Sequence, residues 1–169
     1  MAYAPSELSP DSQLDAPGKV LLVDDQPELR RIFRRSLVKL GHEVVEASNG
    51  RAAVELVRQQ HFDVVLSDVR MPDMDGVELL QQLCELDPEL PVLLISGGLD
   101  AEAEHAAAEY GAFEYLMKPL AFEKLHESTA RAIELRRKTA EARERYEPYA
   151  SMKRIKIPAP SELEPRRKR

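Results

Sequence analysis

Asp68 is the residue whose position in the sequence points most clearly to chemistry. It follows the apolar run Val64, Val65 and Leu66, and a segment containing Pro, Asp and Gly comes after it. A run of this kind predicts a buried strand that ends at the aspartate. Ligands of open α/β sheets bind just outside the carboxyl ends of the strands, so Asp68 is placed for function. Taken alone, it could equally open a turn, which is a common role for aspartate.

Polar side chains also follow three other predicted strands. Asp24 and Asp25 come after the first strand, Ser96 after the fourth and Lys118 after the fifth. In a doubly wound sheet of order 2-1-3-4-5, the first, third, fourth and fifth strands are neighbours. We therefore expect these four residues to converge with Asp68 at one edge of the sheet.

Three carboxylates held close together repel one another and raise each other's pKa unless a cation lies among them. Oxygen ligands of this type suit Mg²⁺. A carboxylate beside Mg²⁺ can attack a phosphoryl group to form an acyl phosphate, and the developing charge then needs cations and hydrogen-bond donors. Lys118 and Ser96 would supply them. Each residue has an ordinary alternative, such as a helix cap, a turn hydroxyl or a solvated charge, but their joint placement at four strand ends indicates a site.

Short apolar runs alternate with segments of helical periodicity from Lys19 onward, which predicts βα units and a parallel sheet. The fold class is α/β, a flavodoxin-like doubly wound sheet of five parallel strands in the order 2-1-3-4-5, with five helices. Apolar residues recur at helical spacing on the first and last helices and predict their buried sides. They are Leu29, Ile32, Phe33, Leu37 and Leu40 on the first helix and Phe122, Leu125, Ala132 and Ile133 on the last. Arg30 is expected to face solvent. The strands are predicted at 19–23, 43–47, 64–68, 92–95 and 114–117.

The chain is predicted to have four parts. Residues 1–18 are a disordered leader and residues 19–137 the globular domain. Residues 138–147 extend the last helix, which Pro148 should stop, and residues 148–169 form a flexible basic tail. The tail and extension, residues 138–169, carry ten Lys and Arg against five Asp and Glu, within a chain of net charge -6. The domain itself is therefore acidic, which makes nucleic acid an improbable main ligand.

Composition restricts the compartment. The single cysteine, Cys84, excludes an intramolecular disulfide and fits a reducing environment. The N-terminus lacks the pattern of a secretory signal, and no apolar stretch approaches the ~20 residues of a membrane helix. We expect a cytoplasmic protein without membrane insertion.

Four segments, VLLVDDQP, DVVLSDVRMPDMDG, VLLISG and FEYLMKP, resemble the motif set of bacterial response-regulator receiver domains. The resemblance covers residues 19–137 in the expected order. It implies that Asp68 accepts a phosphoryl group. It also implies that Asp24, Asp25 and Asp68 hold Mg²⁺ together with the backbone carbonyl of Arg70.

The resemblance further implies a switch. The Ser96 hydroxyl would move to bond the phosphoryl group, Lys118 would pair with one of its oxygens, and Tyr115 would turn its ring inward. These changes would alter the surface of the fourth helix, fifth strand and fifth helix. The Lys118–Pro119 bond matches a position that is usually cis in the family. Tyr115 could instead be an amphipathic ring at a strand edge.

Two further positions correspond to ones that affect access of the hydrolytic water in the family, namely Arg70 and Gly98. The adjacent glycines Gly97 and Gly98 leave that side of the pocket bare. We therefore expect dephosphorylation that is not slow, and we expect substitution of Arg70 or Gly98 to alter it.

The function implied is that of a signalling domain, not an enzyme beyond its own phosphorylation and dephosphorylation. A histidine kinase or phosphotransfer protein would donate the phosphoryl group, and a downstream protein, an output domain or a second copy in a homodimer would read the result. Whether the chain acts as a single domain or as the N-terminal part of a longer regulator stays open. One alternative is a phosphorylation-independent binding module that uses the fold and the basic tail. A magnesium-dependent phosphatase is another, but Val69 and Arg70 follow Asp68 where that class resembles Asp-x-Asp.

Overall fold

A computed structural model describes residues 16–152 of the chain, and its side chains through residue 145. The rest of the predicted leader, residues 1–15, and the last part of the predicted tail, residues 153–169, lie outside the described residues. Strands and helices alternate strictly along the described chain. They are β1 (Lys19–Val23), α1 (Pro27–Lys39), β2 (Glu43–Ala47), α2 (Gly50–Gln59), β3 (Val64–Asp68), α3 (Gly76–Leu86), β4 (Val92–Ser96), α4 (Ala101–Glu109), β5 (Glu114–Met117) and α5 (Phe122–Met152).

The five strands form one parallel sheet in the order β2-β1-β3-β4-β5. This arrangement confirms the predicted doubly wound α/β fold with five helices. Every residue of β3 and β4 is buried. Helices cover both faces of the sheet, which is why these strands are almost continuously apolar instead of alternating with polar residues.

The core has two layers, one on each face of the sheet. Leu21 and Val65 belong to the layer packed by α2, α3 and α4. Leu22 and Leu66 belong to the other layer, which α1 and α5 cover. Successive side chains of a strand point to opposite faces, so each buried strand contributes to both layers. The sheet is thereby fixed in position, and the carboxyl ends of its strands share one edge.

Three residues predicted to face the core lie close to half exposed, namely Ile32, Leu40 and Phe122. On α1 the buried side consists of Phe33 and Leu37, which are four residues apart and therefore share one face. Ile32 lies about a quarter-turn from Phe33 and so falls outside this stripe. Leu40 is the C-cap residue of α1, and Phe122 begins α5, so both lie at helix ends.

The last helix continues to Met152, so the predicted stop at Pro148 is wrong. A proline inside a helix removes one backbone hydrogen bond and clashes with the preceding turn, at a cost of about 3 kcal/mol. The flanking residues are mostly Ala, Glu, Arg and Met, which favour the helix and allow it to continue. Within residues 16–152, no helix combines the length and apolar content needed to cross a membrane.

The residues just before Lys19, where the domain is predicted to begin, also contact the fold. Gly18, which the sequence assigned to the leader, is buried. Its N–H group donates to Nδ1 of His42 at 3.1 Å, and its carbonyl accepts from the Glu43 N–H group at 3.0 Å. The Arg137 guanidinium donates to the carbonyl of Pro17. These contacts join the chain before β1 to β2 and α5.

Candidate functional site

Three carboxylates meet where β1 and β3 end. Asp24 and Asp25 follow β1, and Asp68 is the last residue of the adjacent strand β3. One oxygen from each carboxylate lies within 4.8 Å of the other two. Asp24 is only 2% exposed and Asp68 only 5%. The predicted convergence of these three residues is therefore present in the structure.

Burial is the main influence on Asp24. It raises the pKa of this carboxyl above the ordinary value, and the nearby charges of Asp68 and Asp25 raise it further. A hydrogen bond from the Gln26 N–H group and the charge of Lys118 act in the opposite direction. The pocket is therefore electrostatically unfavourable for anionic side chains and favours the entry of a cation.

Lys118 places its ammonium group among these carboxylates. Its Nζ atom lies 2.9 Å from Oδ1 of Asp68 and 3.8 Å from Oδ2 of Asp24. The residue follows β5, and its backbone N–H group donates to the Ser96 carbonyl at 2.7 Å. The Lys118–Pro119 peptide bond is cis, as the resemblance implied.

Asp68 is held by the sharp turn that follows β3. The Gly76 N–H group donates to the Val69 carbonyl at 2.8 Å. A Cβ atom on Gly76 would lie 2.4 Å from the Asp68 carbonyl oxygen, so only glycine fits this approach. The helix α3 then begins with a capping box formed by Asp75 and Glu78. The loop thus fixes the backbone of the central aspartate against the first turn of α3.

Ser96 ends β4 and is completely buried. Its hydroxyl donates to the Gly98 carbonyl at 2.9 Å and accepts from the Gly98 N–H group at 3.3 Å. The hydroxyl is therefore engaged with its own β4–α4 loop. To donate a hydrogen bond to a group on Asp68, the hydroxyl would have to give up the bond that it donates to the Gly98 carbonyl.

Tyr115 lies in β5, paired with Leu94 of β4. Its ring packs against the core layer beneath α2, α3 and α4. The hydroxyl oxygen is buried, and it has no hydrogen-bond partner in the part of the chain that the structure describes. A buried hydroxyl without a partner is unfavourable, so the interior position of the tyrosine is maintained by the packing of its ring.

The Arg70 side chain lies at the rim of the site and is 72% exposed. Its Nη2 atom lies 2.9 Å from Oδ2 of Asp100, the N-cap residue of α4. Arg70 was predicted to contribute its backbone carbonyl to the metal site and to affect access of the hydrolytic water, but its ion pair with Asp100 was not predicted, and Asp100 was not singled out. Its position directly before an Ala-rich helix is a recognisable N-cap signal that could have identified it.

Arg30 was also missed. It was predicted to face solvent, but its Nη1 atom donates to the Asp24 carbonyl at 2.6 Å. Its Nε atom lies 3.5 Å from a Glu46 carboxylate oxygen. The arginine therefore supports the backbone of the β1–α1 loop that carries the two acidic residues. Its place in the first turn of α1, directly after that loop, is the signal that would have pointed to this contact.

The residues of the pocket fit a magnesium ion. The Oδ1 atom of Asp25 is buried and has no hydrogen-bond partner among the described residues. Such an oxygen is suited to a metal ligand, because a cation would compensate for its lost hydration. The charges of these residues also favour a bound cation, because the one positive charge of Lys118 is paired with two of the three clustered carboxylates. When bound, Mg²⁺ would neutralise charge and polarise phosphoryl oxygens.

Comparison with known proteins places this architecture in a family. Residues 20–130 match the model of the response regulator receiver domain. The chain is 40% identical over 136 residues to the C4-dicarboxylate transport transcriptional regulatory protein DctD of Pseudomonas aeruginosa, covering 80% of this chain and 29% of the relative. It is also 40% identical over 114 residues to the transcriptional regulatory protein ZraR of Escherichia coli, covering 68% of this chain and 26% of the relative.

A solved receiver domain from Clostridium thermocellum superposes with a TM-score of 0.67 at 29% identity, covering 72% of this chain and 97% of that structure. The match thus covers nearly the full length of the solved receiver domain. It covers under a third of the length of each of the two regulators. The match includes all five strands and the acidic pocket at their carboxyl ends. The chain belongs to the response regulator receiver domain family of two-component systems.

Proposed function

We propose that Asp68 is the phosphoryl acceptor of this receiver domain. The observation that carries the proposal is the position of its carboxylate, buried at the end of β3 and paired with the Lys118 ammonium at 2.9 Å. In the transfer, a carboxylate oxygen of Asp68 forms a bond to phosphorus while the bond from phosphorus to the donor atom breaks. The donor leaves with the electron pair of that bond. Lys118 is close enough to balance the charge on the transferred group.

Mg²⁺ is the proposed cofactor, with Asp24, Asp25, Asp68 and the Arg70 carbonyl as its protein ligands. The clustering of three carboxylate oxygens within 4.8 Å supports this assignment. The raised pKa of Asp24, caused mainly by burial, also favours a bound cation. Oxygen ligands with room for water are the usual environment of this ion in proteins.

Ser96 and Tyr115 are the proposed switch residues. The Ser96 hydroxyl would exchange its contacts with Gly98 for an oxygen of the phosphoryl group. Gly98 has no neighbour within 4 Å of a Cβ position, so the β4–α4 loop has space to follow this movement. Tyr115 packs against the core layer beneath α2, α3 and α4. Its ring would respond to the new position of the loop and thereby change the surface formed by α4, β5 and α5.

The proposed donor is a sensor histidine kinase or a phosphotransfer protein, and the proposed recipient is a downstream protein or an output domain. DctD and ZraR are transcriptional regulatory proteins of which this chain matches only a part. The domain is proposed to comprise residues 19–137, preceded by a leader and followed by a helical extension and a basic tail. A second copy of the chain in a homodimer is another proposed reader of the signal. The proposed location is the cytoplasm, and nucleic acid is not the proposed main ligand of the domain.

The intact mass of the protein after incubation with acetyl phosphate tests the assignment directly. The wild type and Asp68→Asn are compared with and without Mg²⁺. We expect a gain of one phosphoryl mass in the wild type with Mg²⁺ only, and none in the variant. A folded wild type that gains no mass would favour the phosphorylation-independent binding module. Repeated turnover of small phosphate esters would instead indicate a phosphatase.

Decay of the phosphorylated form tests the proposed access of water. Gly98→Glu introduces a carboxylate into open space beside the pocket, where it fits without a clash. We expect a changed phosphoryl half-life in Gly98→Glu and in Arg70→Asn. Gly111→Asn is the matched control, because Gly111 also has no neighbour within 4 Å of a Cβ position and asparagine tolerates its positive φ. Equal half-lives in all four proteins would contradict a role for these positions.

A further inference from the structure

The ion pair between Arg70 and Asp100 connects the segments that follow two adjacent strands, β3 and β4, which end in Asp68 and Ser96. It joins the loop after β3 to the start of α4, with Nη2 and Oδ2 separated by 2.9 Å. The two residues line a cavity of 410 Å³ together with Asp75, Ala103 and two apolar side chains of the β3–α3 loop. Val69 and Arg70, the two residues that follow Asp68 in the chain, are part of its lining. A molecule that approached Asp68 across this surface would meet the ion pair.

Asp100 is itself firmly placed. Its Oδ1 atom accepts a hydrogen bond from the Ala103 N–H group at 3.1 Å, so the carboxylate caps α4 while its other oxygen binds Arg70. Because one oxygen is fixed by the helix, the second determines where the guanidinium lies. The Arg70 guanidinium is thus positioned by a residue that lies outside the acidic cluster.

Arg70 differs from Lys118 in its partner, because Asp100 does not belong to the acidic cluster. Lys118 is paired with Asp68 and Asp24 inside the pocket. Arg70 pairs with Asp100 although Asp68 is only two residues away in the chain. An arginine released from Asp100 would present several N–H donors to an incoming phosphate dianion.

We propose that Asp100 is a positioning residue that holds the Arg70 guanidinium away from Asp68 and thereby limits the rate of phosphoryl transfer. This inference rests on the proposed phosphorylation of Asp68. In the reaction with acetyl phosphate, a carboxylate oxygen of Asp68 bonds to phosphorus and acetate leaves with the electron pair of the broken P–O bond. An Arg70 side chain that is free of Asp100 attracts the acetyl phosphate dianion toward Asp68. When Arg70 is bound to Asp100, this attraction is weaker.

The test measures the initial rate of phosphorylation by acetyl phosphate, with Mg²⁺ present, from intact mass at successive times. Asp100→Asn keeps an N-cap side chain but loses the charge that binds Arg70. We expect it to react about two- to fivefold faster than the wild type, the size of effect typical of one exposed ion pair. Arg70→Gln should react more slowly. The double variant should match Arg70→Gln, because Asp100 acts only through Arg70.

Asp75→Asn is the matched control. Asp75 lines the same cavity and caps α3 through hydrogen bonds to Val77 and Glu78, but it forms no ion pair with Arg70. The substitution therefore removes the same charge and leaves the arginine in place. We expect a rate close to that of the wild type. High salt should narrow the difference between Asp100→Asn and the wild type, which a purely structural defect would not produce.

The possible results distinguish a failure of the positioning role of Asp100 from a failure of the proposed phosphorylation of Asp68. Equal rates for Asp100→Asn and the wild type would overturn the positioning role alone. So would a gain in Asp75→Asn as large as that in Asp100→Asn, or a gain from Asp100→Asn that persists when Arg70 is glutamine. A wild type that is not phosphorylated would overturn the proposed function and this inference with it.

Discussion

His42 couples proton binding to the stability of the fold at a place remote from the acidic pocket. It is 6% exposed, and its Nδ1 atom accepts a hydrogen bond from the Gly18 N–H group at 3.1 Å. An accepting nitrogen carries no proton, so protonation would break this contact. Burial, followed by the charges of His126 and Arg137, lowers the pKa of His42, while Asp63 acts in the opposite direction.

The free energy of unfolding should therefore depend on this imidazole below neutral pH. Because the folded-state pKa lies below the ordinary value of 6.5, the unfolded chain binds more protons between the two values. Stability is then full above pH 6.5 and falls as the pH decreases through that window. Replacement of His42 by Asn keeps an acceptor and removes the titration. On acidification, we expect the free energy of unfolding to fall by about 1 kcal/mol less in this variant than in the wild type, because one buried hydrogen bond contributes about that much. Denaturant titration at several pH values measures the difference.

His105→Asn is the control for this measurement, since His105 is exposed on α4. Its acid sensitivity should equal that of the wild type. Equal acid sensitivity in His42→Asn and the wild type would contradict the role assigned to His42.

Individual residues of the pocket were predictable where their position along a strand determined their location. Asp68 ends β3 and Lys118 directly follows β5, and parallel strands bring their carboxyl ends to one edge regardless of side-chain detail. Arg30 and Asp100 were not predictable in this way, because their roles depend on the direction taken by a long side chain or on a contact across two loops. Helical periodicity assigned Arg30 to the solvent face and could not register its hydrogen bond to the preceding loop.

Among the elements, α3 depends most on one residue at its start. A Cβ atom on Gly76 would lie 2.4 Å from the Asp68 carbonyl oxygen and 2.9 Å from the Val69 Cα atom. Both obstacles are backbone atoms and cannot rotate away. We expect Gly76→Ala to lower the free energy of unfolding by about 2–3 kcal/mol, in the range of overpacked sites. Denaturant titration of the purified variant measures this change.

Gly98→Ala provides the comparison, because no atom lies within 4 Å of its added Cβ. Its free energy of unfolding should stay within about 0.5 kcal/mol of the wild type. If both alanine variants were equally stable, the close approach of α3 to the end of β3 would not be a constraint on the fold.

The helix α5 is fastened to the rest of the domain by a partly buried arginine. The Arg136 side chain is 9% exposed, and its Nη1 and Nη2 atoms bind the two carboxylate oxygens of Asp87, after α3, at 2.9 and 2.5 Å. Removing one partner of such a pair leaves the other charge poorly solvated. We therefore expect Arg136→Ala to lower the free energy of unfolding by about 2 kcal/mol, measured by denaturant titration.

Lys138→Ala is the control on the same helix. Lys138 pairs with Glu134 in an exposed ion pair, which contributes little because water screens both charges. A change below about 0.5 kcal/mol is expected. A loss in Arg136→Ala no greater than this would mean that the contact with Asp87 does not stabilise the attachment of α5.

The positions of the elements were predicted well, but their ends and buried sides were predicted less accurately. A run such as that in β3 leaves little choice, because all its residues must be buried. The end of α5 depends on a balance between one unfavourable proline and several favourable neighbours, which a single breaker residue does not reveal. Likewise, Ile32 has helical spacing from Leu29, but the buried stripe of α1 consists of Phe33 and Leu37 and does not extend to it.

At the scale of the whole molecule, the acidic pocket should make stability depend on magnesium. A cation that binds only the folded state stabilises it by about 2.7 kcal/mol at a hundredfold excess over Kd. We expect saturating Mg²⁺ to raise the Tm by about 5–10 °C in thermal unfolding followed by circular dichroism. Asp25→Asn should reduce this increase, because the substitution removes one of the three clustered carboxylates.

Asp75→Asn should respond to Mg²⁺ like the wild type, since Asp75 does not belong to the cluster. Sodium chloride at equal ionic strength should not reproduce the increase. A similar gain in Tm with sodium chloride, or an undiminished gain in Asp25→Asn, would count against a magnesium site formed by these residues.

The overall topology could be predicted because it follows from a repeated pattern. Alternating strands and helices require a parallel sheet, and the right-handed crossover between parallel strands limits the strand order. The contacts of Gly18 with β2 and α5 were not predictable from that pattern, because they involve backbone atoms and a histidine distant in the chain.

The unequal anchoring of the helices has a consequence for motion within the native state. In α4 the residue buried in the core is Ala107, whereas α3 buries Val77, Leu79, Leu80 and Leu83. Local opening that exposes little apolar surface costs little free energy. The amide protons of α4 should therefore exchange with deuterium well before those of α3, through a partial unfolding that leaves the sheet intact. The helix whose N-cap residue, Asp100, binds Arg70 would then lose its structure transiently more often than α3.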